Sequence, residues 1–179
     1  AWRLVGVCLL AVSAGCTSGG WPLGGKVSDT VPGITPPRER IATLRQLAKQ
    51  AGKTKPEDRA RLSGEVAAMY PGESDPLVRL EVVRTLGSLP EAAEATFRQA
   101  AKDPDADVRV AVCQALGKRK GPVALEVLRE RLAGDTDMDV RLAAAKALGE
   151  IRDPAAVEAL GAALQERDGL GRRQRWLDR

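Results

Sequence analysis

Histidine is absent from this chain of 179 residues, and aromatic side chains make up only 3% of it, as three Trp, one Tyr and one Phe. Without His, the chain lacks the commonest general base and the commonest metal ligand, which weighs against catalysis and against a metal centre. A core so poor in aromatics has to be assembled from many small side chains, and alanine and leucine supply them, which suits closely stacked helices. Cysteine is also scarce. Cys8, Cys16 and Cys113 have spacings that fit neither a zinc site nor a disulfide framework. Strand-like alternation is not evident, and no apolar run reaches the roughly 20 residues that cross a bilayer as a helix. There is no strong excess of one charge either. The net charge is +4, but acidic and basic residues are interspersed, as on a mixed solvated surface.

What the chain does have is one sentence written three times. Val78-Arg79-Leu80 leads to Leu86-Gly87, Val108-Arg109-Val110 to Leu116-Gly117, and Val140-Arg141-Leu142 to Leu148-Gly149. A proline follows each, at Pro90, Pro122 and Pro154, with both intervals 32 residues long. A fixed period of this size, with a helical pattern before the Gly and another after the Pro, marks a helical solenoid. Asp75, Asp105 and Asp137 stand three residues ahead of each Val. Each is expected to cap its helix, its carboxylate accepting from an unpaired backbone N–H at the positive end of the helix dipole, worth ~1 kcal/mol. Val78, Val82 and Leu86, with Val108, Val112 and Leu116 and then Val140, Ala144 and Leu148, make the buried stripes. Gly87, Gly117 and Gly149 are expected to take the left-handed turn that ends a helix, and the prolines to open the next one. In the second helices Ala93, Leu125 and Val157 are equivalent, as are Ala100, Leu132 and Leu164.

These residues resemble short HEAT repeats of the kind also found in phycobilisome-lyase-like proteins. The Asp-x-Asp-Val-Arg and Ala-Leu-Gly motifs carry the likeness over residues 75–166, read as three repeats, with 38–72 as an irregular first one. The resemblance implies an all-α fold, a right-handed α-α superhelix of about four helix pairs. It also implies a ladder between neighbouring repeats, in which Asp107 and Asp139 would serve with Arg79, Arg109 and Arg141. Asp105, Arg109, Asp137 and Arg141 are accordingly read as structural.

In residues 38–72, Ile41, Leu44, Leu47, Ala48 and Ala51 fall at helical spacing, Gly52 marks a stop, and Leu62, Val66 and Met69 share a face after Pro56. An atypical terminal repeat is expected where one face meets water. Residues 167–179 read as a basic tail. Asp168 stands where another repeat should begin, but no Val-Arg or Ala-Leu-Gly follows it, and Trp176 and the arginines make a solvated end in preference to a lipid or nucleic-acid site.

Ahead of the repeats the character is different. Residues 1–15 hold one Arg and a short apolar run, the pattern of a signal-peptide h-region. Ser13-Ala14-Gly15-Cys16 resembles a bacterial lipobox, with Ser13 in place of the usual Leu. The likeness implies that Cys16 becomes a lipidated first residue. Several acyl chains anchor stably where one is marginal, each buried methylene contributing ~0.8 kcal/mol. A plain secretory signal cut after Ala14 or Gly15, or an uncleaved anchor, is the alternative. Residues 16–37 then supply a Gly-, Pro-, Ser- and Thr-rich linker that reads as a flexible tether.

Function is thus expected to be that of a membrane-anchored, non-catalytic scaffold, exported as a lipoprotein of the cell or outer membrane and facing the periplasm. It would bind an unknown protein partner through its second-helix face, which carries Glu94, Arg98, Glu126, Glu130 and Glu158. No cofactor, metal or nucleic acid is expected. Two alternatives stand beside this. Some repeat families of this type are enzymes, either bilin lyases, whose partners are cytosolic, or deoxyhypusine hydroxylase relatives, whose di-iron His-Glu motifs have no counterpart here. The third class, helical-repeat DNA glycosylases, needs a basic concave face. Cys113 is read as a small buried hydrophobe within its helix.

Overall fold

The computed structural model describes residues 35–89, 93–119 and 121–177, with side chains described as far as residue 165. Among the described residues there are eight α-helices and no strand. They run α1 (Pro37–Gln50), α2 (Pro56–Met69), α3 (Pro76–Ser88), α4 (Glu94–Ala100), α5 (Ala106–Gly117), α6 (Pro122–Gly134), α7 (Met138–Ile151) and α8 (Pro154–Leu177). A 3-10 turn, Ala51–Lys53, tightens the exit from α1 at Gly52.

The odd-numbered helices stack in chain order, α1 on α3, α3 on α5 and α5 on α7. The even-numbered helices form the second layer, in which α6 packs on both α7 and α8. The result is an all-α solenoid of four helix pairs. The nine stripe residues of α3, α5 and α7 are buried, and Leu44, Val66, Phe97 and Leu128 continue the same core into the other helices. Each fully buried Val or Leu contributes roughly 1.5–3 kcal/mol, so no pair is stable without its neighbours.

Helix starts follow from side-chain chemistry. The Asp75 carboxylate accepts from the N–H groups of Leu77 and Val78, Asp105 from those of Asp107 and Val108, and Asp137 from those of Asp139 and Val140. Pro122 and Pro154 open α6 and α8, where a missing N–H costs nothing. Pro90 lies outside the described residues.

Two expectations need correction. First, neither Gly87, Gly117 nor Gly149 adopts a left-handed conformation; Arg152, with φ 55°, is the left-handed residue that closes α7. The glycines serve packing instead. A β-carbon on Gly87 would stand 2.9 Å from Ala115 Cβ, and one on Gly117 would stand 2.9 Å from Ala147 Cβ and 3.0 Å from Ala147 Cα. Both are points where one stacked helix touches the next. Gly149 has nothing within 4 Å among the described residues.

Second, the equivalent positions of the second helices differ in burial. Ala93 and Ala100 are buried and Leu125 and Leu132 half-buried, whereas Val157 and Leu164 are exposed. Ala156, Ala159 and Leu160 turn inward in their place. Beyond residue 166, α8 runs on as one helix to Leu177.

Candidate functional site

The recurring polar residues meet at the turns between repeats. Arg79 Nε and Nη2 donate to the two carboxylate oxygens of Asp103 at 2.8 and 2.9 Å. Arg109 donates in the same two-pronged way to Asp135, with both bonds at 2.9 Å. Arg40 pairs with Glu73 one repeat earlier. Each acid lies two residues ahead of a capping Asp and also accepts from that residue's backbone N–H, at 2.8 Å for Glu73, 2.9 Å for Asp103 and 3.0 Å for Asp135. Arg79 and Arg109 meanwhile hold their own turns through backbone carbonyls, Ser74 for Arg79 and Asp103 with Pro104 for Arg109. One guanidinium therefore ties two successive turns.

This ladder does not use the expected acids. Asp107 and Asp139 are exposed, their backbone N–H groups bound to the caps Asp105 and Asp137. The triplets Asp103-x-Asp105-x-Asp107 and Asp135-x-Asp137-x-Asp139 each offered three carboxylates, and only the first reaches back to the preceding repeat. Glu73 and Arg40 extend the ladder into the irregular repeat. Arg141 donates to Asp135 O at 2.6 Å and to Met138 Sδ at 3.4 Å, both within its own repeat.

Electrostatics agree with a structural role. Burial alone would raise the Asp103 carboxyl, but hydrogen bonds from Arg79, Tyr70 and the Asp105 N–H, with the Arg79 charge, hold it below the usual carboxylate range. Asp135 is likewise held low against the effect of burial, by Arg109, the Asp137 N–H and the charges of Arg109 and Arg131. Tyr70, which donates to Asp103, is pushed well above its ordinary value by burial and then by that bond. Burial pushes the Cys113 thiol up to about 12, and the nearby Asp135 charge adds to it, against Arg131 and Arg109. A thiol so placed stays protonated and is no nucleophile at neutral pH.

The second-helix residues behave differently. Glu94, Arg98, Glu126, Glu130 and Glu158 are all exposed. Arg98 of α4 pairs with Glu126 of α6, and that hydrogen bond holds the Glu126 carboxyl below its usual range. Glu130 takes a 2.7 Å bond from Arg131, while no hydrogen bond or ion pair joins Glu158 to the other four among the described residues. These five positions carry four carboxylates and one arginine, with exposed Arg129 and half-buried Arg131 on the same helix as Glu126 and Glu130. No group of three or more metal-ligating side chains occurs among the described residues. No helix among them is long and apolar enough to cross a membrane. Cys16 and the rest of the linker up to residue 34 lie outside the described residues.

Compared with known families, the sequence fits the profile of HEAT repeats over residues 66–137 and again over 130–177. No curated protein matches it.

Proposed function

Since the chain belongs to the HEAT-repeat family, we propose that it is a non-catalytic adaptor, tethered to a membrane by lipid on Cys16, that holds a protein partner on its second-helix face. One observation carries the reading. Asp75, Asp103, Asp105, Asp135 and Asp137 with Arg79 and Arg109 are consumed in caps and ladder, whereas Glu94, Glu126, Glu130 and Glu158 stand exposed on the second helices, where a partner can reach them. Glutamates at these positions suit a partner that presents basic groups to them.

Absence of catalysis is supported by the chain's lack of His and by the buried, protonated thiol of Cys113. The Gly-, Pro-, Ser- and Thr-rich composition of residues 16–37 suits a tether that would hold the solenoid clear of the bilayer. Cross-linking in intact membranes tests the reading. The unaltered chain should yield a discrete cross-linked protein, and Glu126→Lys with Glu130→Lys should abolish that product while leaving the fold unchanged. A cross-linked product that survives both charge reversals would refute the assigned face.

A further inference from the structure

Along α1, Arg38, Ala42, Arg45 and Lys49 follow one another at steps of four, three and four residues, and on α3 Leu77, Glu81 and Arg84 follow at four and three, so each set lies along one side of its helix. The two helices pack side by side. Between them runs a groove of about 700 Å³, walled by residues of α1 and α3 alone. Its lining includes Arg38, Arg45 and Lys49 and no acid, and Ile41, Ala42 and Leu77 supply its apolar part. Leu77 is 60% exposed. Glu81, buried on α3, accepts from Arg45 at 3.1 Å and so offsets one of the charges. Arg38, Lys49 and Arg84 are exposed and form no ion pair among the described residues. Glu39, the exposed acid of α1, does not line the groove. Further along the same layer the charge is mixed, with Asp139 and Glu150 exposed on α7 against Lys146.

We propose that this groove, with Arg84 beside it, binds an anionic phospholipid surface. Headgroup phosphates pair with Arg38, Arg45, Lys49 and Arg84, and the side chains of Leu77 and Ile41 rest among the headgroups. Charge complementarity identifies the occupant, because a cluster of cations is drawn to acidic lipid by its negative surface potential, and cations are the whole of the groove's ionic lining. The apolar part separates a lipid surface from a nucleic acid. A bilayer interface takes up exposed Leu and Ile beside Lys and Arg, whereas a phosphate backbone gains nothing from Leu77. The inference rests on the membrane reading for its setting and deepens it by naming the lipid chemistry that the solenoid meets. The glutamates of the partner face lie on the even-numbered helices, in the other layer, and stay available while α1 and α3 lie against headgroups.

The test uses the full chain with Cys16→Ser, so that no lipid anchor contributes, and sedimentation with phosphatidylcholine vesicles that either lack phosphatidylglycerol or contain about a third of it. The readout is the excess of binding to the anionic vesicles over the neutral ones, to which the apolar run of residues 1–15 adds equally. Arg38→Gln with Lys49→Gln should cut that excess roughly 25-fold, about five-fold for each charge removed. Leu77→Gln should lower it at unchanged charge, and high salt should abolish it. Lys102→Gln with Arg129→Gln takes the same charge from exposed sites elsewhere and should leave it unchanged. All five substituted side chains are exposed, so circular dichroism should show the fold intact. The inference is overturned by no excess at all, by an equal loss from the two double substitutions, or by an excess indifferent to Arg38 and Lys49 or to Leu77. Release of the chain from anionic vesicles by duplex DNA at matched phosphate concentration would overturn it too, by making nucleic acid the occupant. Neither Cys16 nor the second-helix glutamates enter the comparison, so failure here is distinct from failure of the anchor or of the partner face.

Discussion

Arg109 grips both oxygens of Asp135, a residue 26 positions further along the chain, and with its third nitrogen holds the carbonyl of Asp103 in its own turn. Asp103 is in turn gripped by Arg79. The turns of the solenoid are therefore linked in series, each acid held by the arginine of the preceding repeat.

Breaking one link should be costly because the acid is left buried. Asp135 is 1% exposed at its side chain. Arg109→Leu is expected to destabilise the chain by about 3 kcal/mol, the lower end of the range for an orphaned buried charge, because Arg131 remains 3.2 Å from Asp135. Adding Asp135→Asn removes the charge yet keeps an acceptor for the Asp137 N–H. The double variant should unfold at a higher urea concentration than Arg109→Leu alone.

Equivalent glycines should give opposite results. Gly117→Ala places a methyl group against the Ala147 backbone and should cost about 1–3 kcal/mol. Gly149→Ala meets nothing within 4 Å inside α7 and should stabilise by about 1 kcal/mol through helix propensity. Thermal melts of the two variants distinguish a packing role from a helix-ending turn, which would penalise both.

Acid should loosen the ladder. Asp103 and Asp135 have folded values below the ordinary carboxylate value of about 3.9. The stability they add is fully present above that value and is lost as pH falls through the lower, folded values. Urea midpoints should therefore hold steady down to about pH 5 and drop steeply below pH 4. Asp103→Asn should flatten that drop, and an unchanged acid limb would contradict the assignment.

Cys113 should be inert while the chain is folded. Its thiol is raised to about 12, so it adds stability that is complete below the unfolded value near 8.5 and is lost as pH rises through the folded one. At pH 8 a thiol reagent should leave Cys113 unmodified in the native chain and label it in denaturant, as peptide mapping would show. Rapid native labelling would put a reactive thiolate back into consideration.

Much of this fold was legible in the chain. The Val-Arg and Leu-Gly repeats marked the stacked helices, and Asp75, Asp105 and Asp137 marked their starts, because capping and burial are local in sequence. The ladder was less legible. Asp103, Asp105 and Asp107 look alike at alternate positions, and which one faces Arg79 depends on how the turn lies over the preceding repeat. Gly87 and Gly117 misled for a related reason, since a glycine needed for close approach reads the same as one needed for a turn. Val157 and Leu164 share their register with buried or half-buried residues, but α8 turns Ala156, Ala159 and Leu160 inward in their place. Glu73 is legible as an acid two residues ahead of Asp75, the same step as Asp103 and Asp135 from their caps, whereas Arg40 does not fall one 32-residue period before Arg79.

The proposed membrane tether rests on Cys16, and the mass of the chain's N-terminus recovered from a membrane fraction tests it most directly. The account predicts a mature chain that begins at Cys16 and carries a thioether-linked diacylglycerol with an N-acyl group. A product recovered in soluble form, or one starting at another residue with Cys16 unmodified, would contradict it.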